Sequence, residues 1–140
     1  MTFHEKLAWV MAGITAITGV WYGSQVLTAS SAVDGTIGPN IALISAVTIV
    51  IVVTAIVSSI FFAATDHDED PGLEDERDRA VFARAGNWSG WVLAFGAIGA
   101  LWHYYFHEDG NALFHMIIGA MFVATVVDFA LQIAFYRRGG

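Results

Sequence analysis

Three histidines near the end of the last apolar hairpin of this chain could act together as metal ligands. His103 and His107 are four residues apart and would share one helical face. His103 and His115 are each six residues from Asp109, so a hairpin would place them at similar depth on facing helices. Three imidazoles can bind zinc or copper. The alternative is that all three are amphipathic residues of a membrane interface.

Haem fits this histidine set less well than zinc or copper. A haem held by two histidines needs them on opposite sides of the macrocycle, whereas adjacent helices are only about 8–10 Å apart. A second ligand would have to come from the first hairpin, and its two apolar stretches contain no histidine.

Asp128 lies inside an otherwise apolar run, where a carboxylate is costly and usually faces a partner inside the protein. The partners that we predict are Arg84, reaching in by its long side chain, or hydroxyls of the first two spans such as Thr15. One interpretation is a proton or cation site. The other is a polar contact that fixes the register of the helices.

An acidic segment, residues 65–79, separates the two halves of the chain and holds eight of its 13 acids. Such a segment could dock a basic surface on a cytoplasmic partner, or it could be a solvated loop. The residues predicted to bind a partner are Asp68, Glu69, Asp70, Glu76 and Asp78. A calcium loop fits poorly, because the glycine comes one place late and Arg77 stands where the twelfth-position glutamate is required.

Four apolar stretches must position these side chains. They cover residues 7–27, 41–64, 84–106 and 112–136, and each is long enough to cross a hydrocarbon core of about 30 Å. The chain is 56% hydrophobic and only 14% charged, against about 25% charged in soluble domains. The sequence therefore predicts a single all-α integral membrane domain, because only helices or closed barrels cross a bilayer. The first stretch, residues 7–27, is also longer than the core of a cleavable signal peptide.

The basic residues predict an orientation, because Lys and Arg are enriched in cytoplasmic loops. All six fall on one side of the predicted spans: Lys6, Arg77, Arg79, Arg84, Arg137 and Arg138. Both termini and the acidic segment would then lie in the cytoplasm, in an up-down four-helix bundle of a bacterial inner membrane.

Small residues and a faint repeat suggest how the helices pack. Gly19 and Gly23 form one small-residue row, and Gly86, Gly90 and Ala94 form another. These rows could join helices of one chain or two chains of a homodimer. Aromatic and apolar residues recur at matching places in the two halves, so the bundle could be two hairpins repeated in parallel.

The composition excludes several function classes. With no cysteine, thiol catalysis, disulfides and iron–sulfur clusters are ruled out. There is no basic patch for direct nucleic-acid binding. No nucleophile–base pair or phosphate loop is visible, so we do not predict an enzyme.

The D-E-R-D motif at residues 75–78, before a Trp-containing span, resembles a recurring feature of small bacterial membrane proteins of unknown function. The resemblance covers residues 75–136. Many such proteins are encoded beside small DNA-binding regulators, so it implies a membrane partner that restrains or releases a transcription regulator.

Taken together, the sequence predicts a membrane-embedded regulatory or sensor protein. Its acidic segment would bind a basic cytoplasmic protein, and its outer histidines would sense a ligand or metal. The alternatives are a module that binds or transports a small molecule, proton or metal, and an accessory subunit of a larger membrane complex.

Overall fold

A computed structural model describes residues 2–65 and 76–138. Within those ranges the chain forms four helices and no strand: α1 (Phe3–Ala32), α2 (Ile41–Thr65), α3 (Glu76–His107) and α4 (Gly110–Arg137). α3 begins eight residues before the predicted span, because the mixed-charge run ahead of Arg84 continues the helix.

Short polar side chains cap the first turns of three of the helices, and they are of the types that helix N-caps favour. Thr2 accepts a hydrogen bond from the Glu5 N–H, Asn40 accepts from the N–H groups of Ala42 and Leu43, and Asp109 accepts from Ala112. These side chains satisfy backbone donors that have no partner within the helix.

Two residues in the left-handed region shape the connections between α1 and α2 and between α3 and α4. Asp34 has φ 53° and ends the turn after α1, and Glu108 has φ 52° and reverses the chain between α3 and α4. Because only Glu108 and Asp109 separate α3 from α4, these two helices form a tight antiparallel hairpin.

The helices pack in the order α2–α1–α4–α3, and within residues 2–65 and 76–138 extensive contacts join only the neighbours in that row. In a closed four-helix bundle α2 and α3 would also pack on each other, so the arrangement is an open row. The start of α1 meets the end of α4, where Glu5 lies 3.6 Å from Arg137. The first and last described residues therefore lie at the same end of the helices.

α1, α2 and α4 are each long and apolar enough to cross a membrane, by length and composition. Their outward surfaces are rich in large apolar side chains, and α2 buries only Val47. Such a surface suits hydrocarbon rather than water as its surroundings. α3 does not meet the same criterion, so three of the four predicted spans are supported as candidates.

Two glycines bring helices together: Gly19, which belongs to the predicted row on α1, and Gly96, which belongs to neither predicted row. A Cβ on Gly96 would lie 2.5 Å from the Ala120 Cβ, and a Cβ on Gly19 would lie 3.0 Å from the Phe122 ring. A Cβ on Gly23, Gly86 or Gly90 would meet nothing within 4 Å. Close packing within the chain therefore uses Gly19 and Gly96, while the predicted row on α3 faces away from α4.

Candidate functional site

His115 ties α4 to α1 and to the loop that follows α1. Its Nδ1 lies 2.7 Å from the Tyr22 hydroxyl, and its Nε2 lies 3.0 Å from the Ile37 carbonyl oxygen. Because a carbonyl can only accept, Nε2 carries the proton, and Nδ1 then accepts from the tyrosine. We call Tyr22, Ile37 and His115 the outer polar site, after the side on which the sequence predicts them.

Asn111 and Asp109 extend these contacts around the start of α4. The Asn111 amide donates to the Thr36 carbonyl oxygen at 3.0 Å. The Ala112 N–H, helped by the Thr36 hydroxyl, holds the pKa of Asp109 below its ordinary value. The loop after α1 is therefore fixed to α4 by two neighbouring residues of its sequence, Thr36 and Ile37.

The depressed pKa of Asp109 predicts how acid affects stability. The carboxylate contributes fully above its ordinary pKa of 3.8, and the contribution is lost as pH falls through the lower folded pKa. Asp109→Asn keeps a good helix cap but removes the charge, so its stability should depend less on pH in that window. Thermal unfolding in detergent between about pH 5 and pH 2 measures this. An acid slope as steep as that of the wild type would contradict it.

The other two predicted metal ligands pair with each other instead of with His115. The rings of His103 and His107 stack at 4.2 Å between centroids, and His107 Nδ1 lies 3.1 Å from the His103 carbonyl oxygen. Among residues 2–65 and 76–138, no three His, Asp or Glu side chains are placed to hold a metal ion. Both ring nitrogens of His115 already have partners, so no contact here supports the predicted zinc or copper site.

Asp128 accepts two hydrogen bonds, one that joins α4 to α3 and one from its own helix. It accepts from the Ser89 hydroxyl at 3.2 Å and from the Gln132 amide at 2.8 Å. These partners differ from the predicted ones: Arg84 lies over the Phe135 ring at 5.5 Å, and Thr15 is on α1. With one donor on each carboxylate oxygen, this geometry favours the structural interpretation of Asp128.

At the opposite end of the helices, Asp78 is held between α1 and α4. It accepts from the Tyr136 hydroxyl at 2.6 Å and lies 3.4 Å from His4 Nδ1. Arg77 donates to the Tyr136 carbonyl oxygen at 2.8 Å. We call these residues, together with Glu5 and Arg137, the inner polar cluster, after the side on which the sequence predicts them.

Aromatic rings extend the inner polar cluster. Arg137 lies over the Trp9 ring at 5.3 Å, and the rings of His4 and Phe82 meet edge to face at 5.3 Å. The first turns of α1 and α3 and the last turn of α4 are therefore joined where the acidic segment enters α3.

The predicted partner-binding acids divide into three groups. Glu76 is exposed in the first turn of α3, whereas Asp78 is partly buried within the inner polar cluster. Asp68, Glu69 and Asp70 lie outside the described residues. Asp78 therefore has partners within the fold, whereas Glu76 is open to solvent.

The sequence did not single out Tyr22, Ile37, Ser89, Gln132 or Tyr136 as site residues. The signal that could have found Ser89 is its position opposite Asp128 in an antiparallel hairpin, and for Gln132 it is the four-residue spacing on one helix. Ile37 contributes only a backbone carbonyl, for which side-chain patterns carry no signal.

No protein-family model, curated protein or solved structure matches the chain. The resemblance of the D-E-R-D motif to small bacterial membrane proteins therefore stays a prediction.

Proposed function

We propose that all four helices cross a bacterial inner membrane, with both termini and the acidic segment in the cytoplasm. The one-sided basic residues support this orientation, and the Glu5–Arg137 pair supports termini on a common side.

In this proposal α3 is the fourth span despite its lower hydropathy. Residues 85–106 contain no Asp, Glu, Lys or Arg. Their mean hydropathy is low because Gly, Trp and Tyr replace Leu, Ile and Val, and these three residue types are common in membrane helices or at their interfaces.

The function that the geometry supports best is docking of a basic cytoplasmic protein, such as a transcription regulator, by the acidic segment. The observation that carries it is the inner polar cluster. By joining α3 to α1 and α4, the cluster gives the acidic segment a fixed base at Glu76. A fixed base lowers the ordering cost of binding.

In this proposal, α4 would transmit a change at the outer polar site to the cytoplasmic side. α4 carries His115 of the outer polar site and Tyr136 of the inner polar cluster. A ligand or metal that displaced His115 from Tyr22 or Ile37 would therefore act on α4, the helix whose Tyr136 hydroxyl donates to Asp78.

Neutralising the acids tests docking. A variant with Asp68→Asn, Glu69→Gln, Asp70→Asn and Glu76→Gln should recover roughly tenfold less of the basic partner in co-purification, since several exposed charge pairs are lost together. Raising salt from about 0.1 M to about 1 M should weaken recovery by the wild type, because screening shortens the reach of the charges.

The matched control removes acids from the opposite end of the protein, by Asp34→Asn and Glu108→Gln. Docking predicts full recovery of the same protein with this control. Equal recovery by the loop variant and the wild type would contradict the proposal.

A second candidate function is that of an accessory subunit, in which α3 packs against a second copy or another membrane protein. The open space beside Gly86 and Gly90 favours it, because small residues on an outward face allow close approach of another helix.

A further inference from the structure

Arg84 is an exposed cation on α3 that has no polar partner in the described part of the chain. Within residues 2–65 and 76–138 its side chain makes no hydrogen bond or ion pair. Its guanidinium lies over the Phe135 ring of α4, with the central carbon 5.5 Å from the ring centroid. A guanidinium has five N–H donors, and a ring face attracts the charge without offering an oxygen acceptor. The surroundings of the protein must therefore supply the acceptors for Arg84.

Two other arginines at this end of the helices differ from Arg84, because each contacts a polar atom of the fold. Arg77 donates to the Tyr136 carbonyl oxygen at 2.8 Å, and Arg137 lies 3.6 Å from the Glu5 carboxylate. Arg77 precedes Arg84 by seven residues, so the two share one face of α3. This face is therefore positively charged over two helical turns, and Arg84 is its end nearer the predicted membrane core.

The position of Arg84 along α3 corresponds to the depth of a lipid headgroup, provided that α3 crosses the membrane as proposed above. A helix rises 1.5 Å per residue, so Arg84 and His103 are about 29 Å apart along the axis of α3. That distance is close to the thickness of a hydrocarbon core, about 30 Å. With His103, which begins the polar end of α3, at the outer boundary of the core, Arg84 lies at the inner boundary.

Two tryptophans beside Arg84 suit the same boundary. Trp88 and Trp91 follow it by one and two turns on α3, and both rings are more than half exposed. Tryptophan is enriched between hydrocarbon and headgroups, because its ring is apolar and its N–H can bond to a polar group. Arg84, Trp88 and Phe135 therefore form a surface on which one cation is flanked by apolar rings. Such a surface complements a molecule that is anionic at one end and apolar along the rest.

We propose that Arg84, Trp88 and Phe135 bind an anionic phospholipid of the inner leaflet. Arg84 donates to the lipid phosphate, which arginine matches well because two parallel N–H groups meet two phosphate oxygens. The apolar part of the lipid covers the exposed rings. A soluble phosphate ester offers the same oxygens but cannot cover the rings, so it would bind much more weakly. This inference rests on the proposed crossing of α3, whereas it is independent of docking by the acidic segment.

Native mass spectrometry of the purified full-length protein tests the lipid site. The protein in detergent is mixed with equal amounts of phosphatidylglycerol and phosphatidylcholine that have identical acyl chains, and the two lipid adducts are compared in the same sample. Both lipids have a phosphate and the same apolar chains, but only phosphatidylglycerol has a net negative charge. Glycerol phosphate, a headgroup without chains, is then added as a competitor to separate a lipid site from a site for a soluble anion.

The wild type should bind phosphatidylglycerol roughly fivefold more tightly than phosphatidylcholine, as expected for one arginine beside an anionic lipid. Arg84→Gln should bind the two lipids about equally, and Arg84→Lys should keep the preference because it keeps the charge. Arg138→Gln is the matched control: it removes the same charge from an exposed position after the end of α4, and it should behave as the wild type. Glycerol phosphate should not displace the lipid.

Four outcomes would overturn the proposal: no preference in the wild type, an undiminished preference in Arg84→Gln, an equal loss in Arg138→Gln, or displacement by glycerol phosphate. Arg84→Gln replaces an exposed side chain, so its thermal unfolding should match that of the wild type and show that any lost preference is local. Its recovery of the basic cytoplasmic partner should also be unchanged. Failure of the lipid site and failure of docking are therefore distinguishable.

Discussion

Gly96→Ala is expected to destabilise the protein by about 1–3 kcal/mol, the usual cost of forcing extra volume into a packed contact. The new Cβ would lie 2.5 Å from the Ala120 Cβ, closer than two methyl carbons can approach. The Ala120 Cβ is bonded directly to the backbone, so no side-chain rotation can move it out of the way. α3 and α4 must therefore separate, and this seam also carries the Ser89–Asp128 hydrogen bond.

Gly90→Ala is the matched control on the same helix. A Cβ at Gly90 meets open space, and alanine is the better helix former, so this variant should be neutral or slightly more stable. Unfolding by increasing sodium dodecyl sulfate in mixed micelles compares the free energies. If Gly96→Ala and Gly90→Ala unfold at the same midpoint, the close contact between α3 and α4 is wrong.

His115→Phe is the second substitution with a large expected effect. Phenylalanine retains a ring but removes both nitrogens, leaving the Tyr22 hydroxyl and the Ile37 carbonyl without their partner. Tyr22 is only 4% exposed, so water cannot easily replace the lost bond. We expect a loss of about 2 kcal/mol, from unsatisfied groups that cost about 1–3 kcal/mol each.

His107→Phe provides the control for His115→Phe. His107 is exposed, and its hydrogen bond runs to its own helix at the His103 carbonyl, so its replacement should change stability little. His115→Gln should recover part of the stability, because an amide can donate to one partner and accept from the other. Equal losses at positions 107 and 115 would contradict the outer polar site.

Hydropathy and capping residues were sufficient to predict the helices. Long apolar runs fix their number, and polar residues such as Asn40 and Asp109 mark where they begin. The spacing of apolar residues could not predict which helices pack against each other. In a membrane every face of a helix is apolar, so periodicity does not separate the face towards lipid from the face towards protein. Gly90 and Gly96 therefore look alike in the sequence, although only Gly96 packs against another helix.

Candidate site residues could be predicted where a polar side chain stands in an apolar run, because burying it without a partner is costly. Asp128 and His115 stand out among apolar neighbours, and each has hydrogen-bond partners in the fold. Their partners could not be named, because they depend on helix order and on a loop carbonyl. The Thr15 hydroxyl, which has no hydrogen-bond partner among the described residues, could not be predicted in the same way, because this becomes visible only when the other contacts are known.

The central claim is a protein with four spans whose acidic segment faces the cytoplasm, and cysteine labelling tests it most directly. The natural chain has no cysteine, so single substitutions report without background. In intact cells a membrane-impermeant maleimide should label Ser31→Cys and His107→Cys. It should label Arg79→Cys only after the membrane is permeabilised, since α3 then separates positions 79 and 107. Labelling of positions 79 and 107 from the same side would show that α3 does not cross the membrane and would contradict the account.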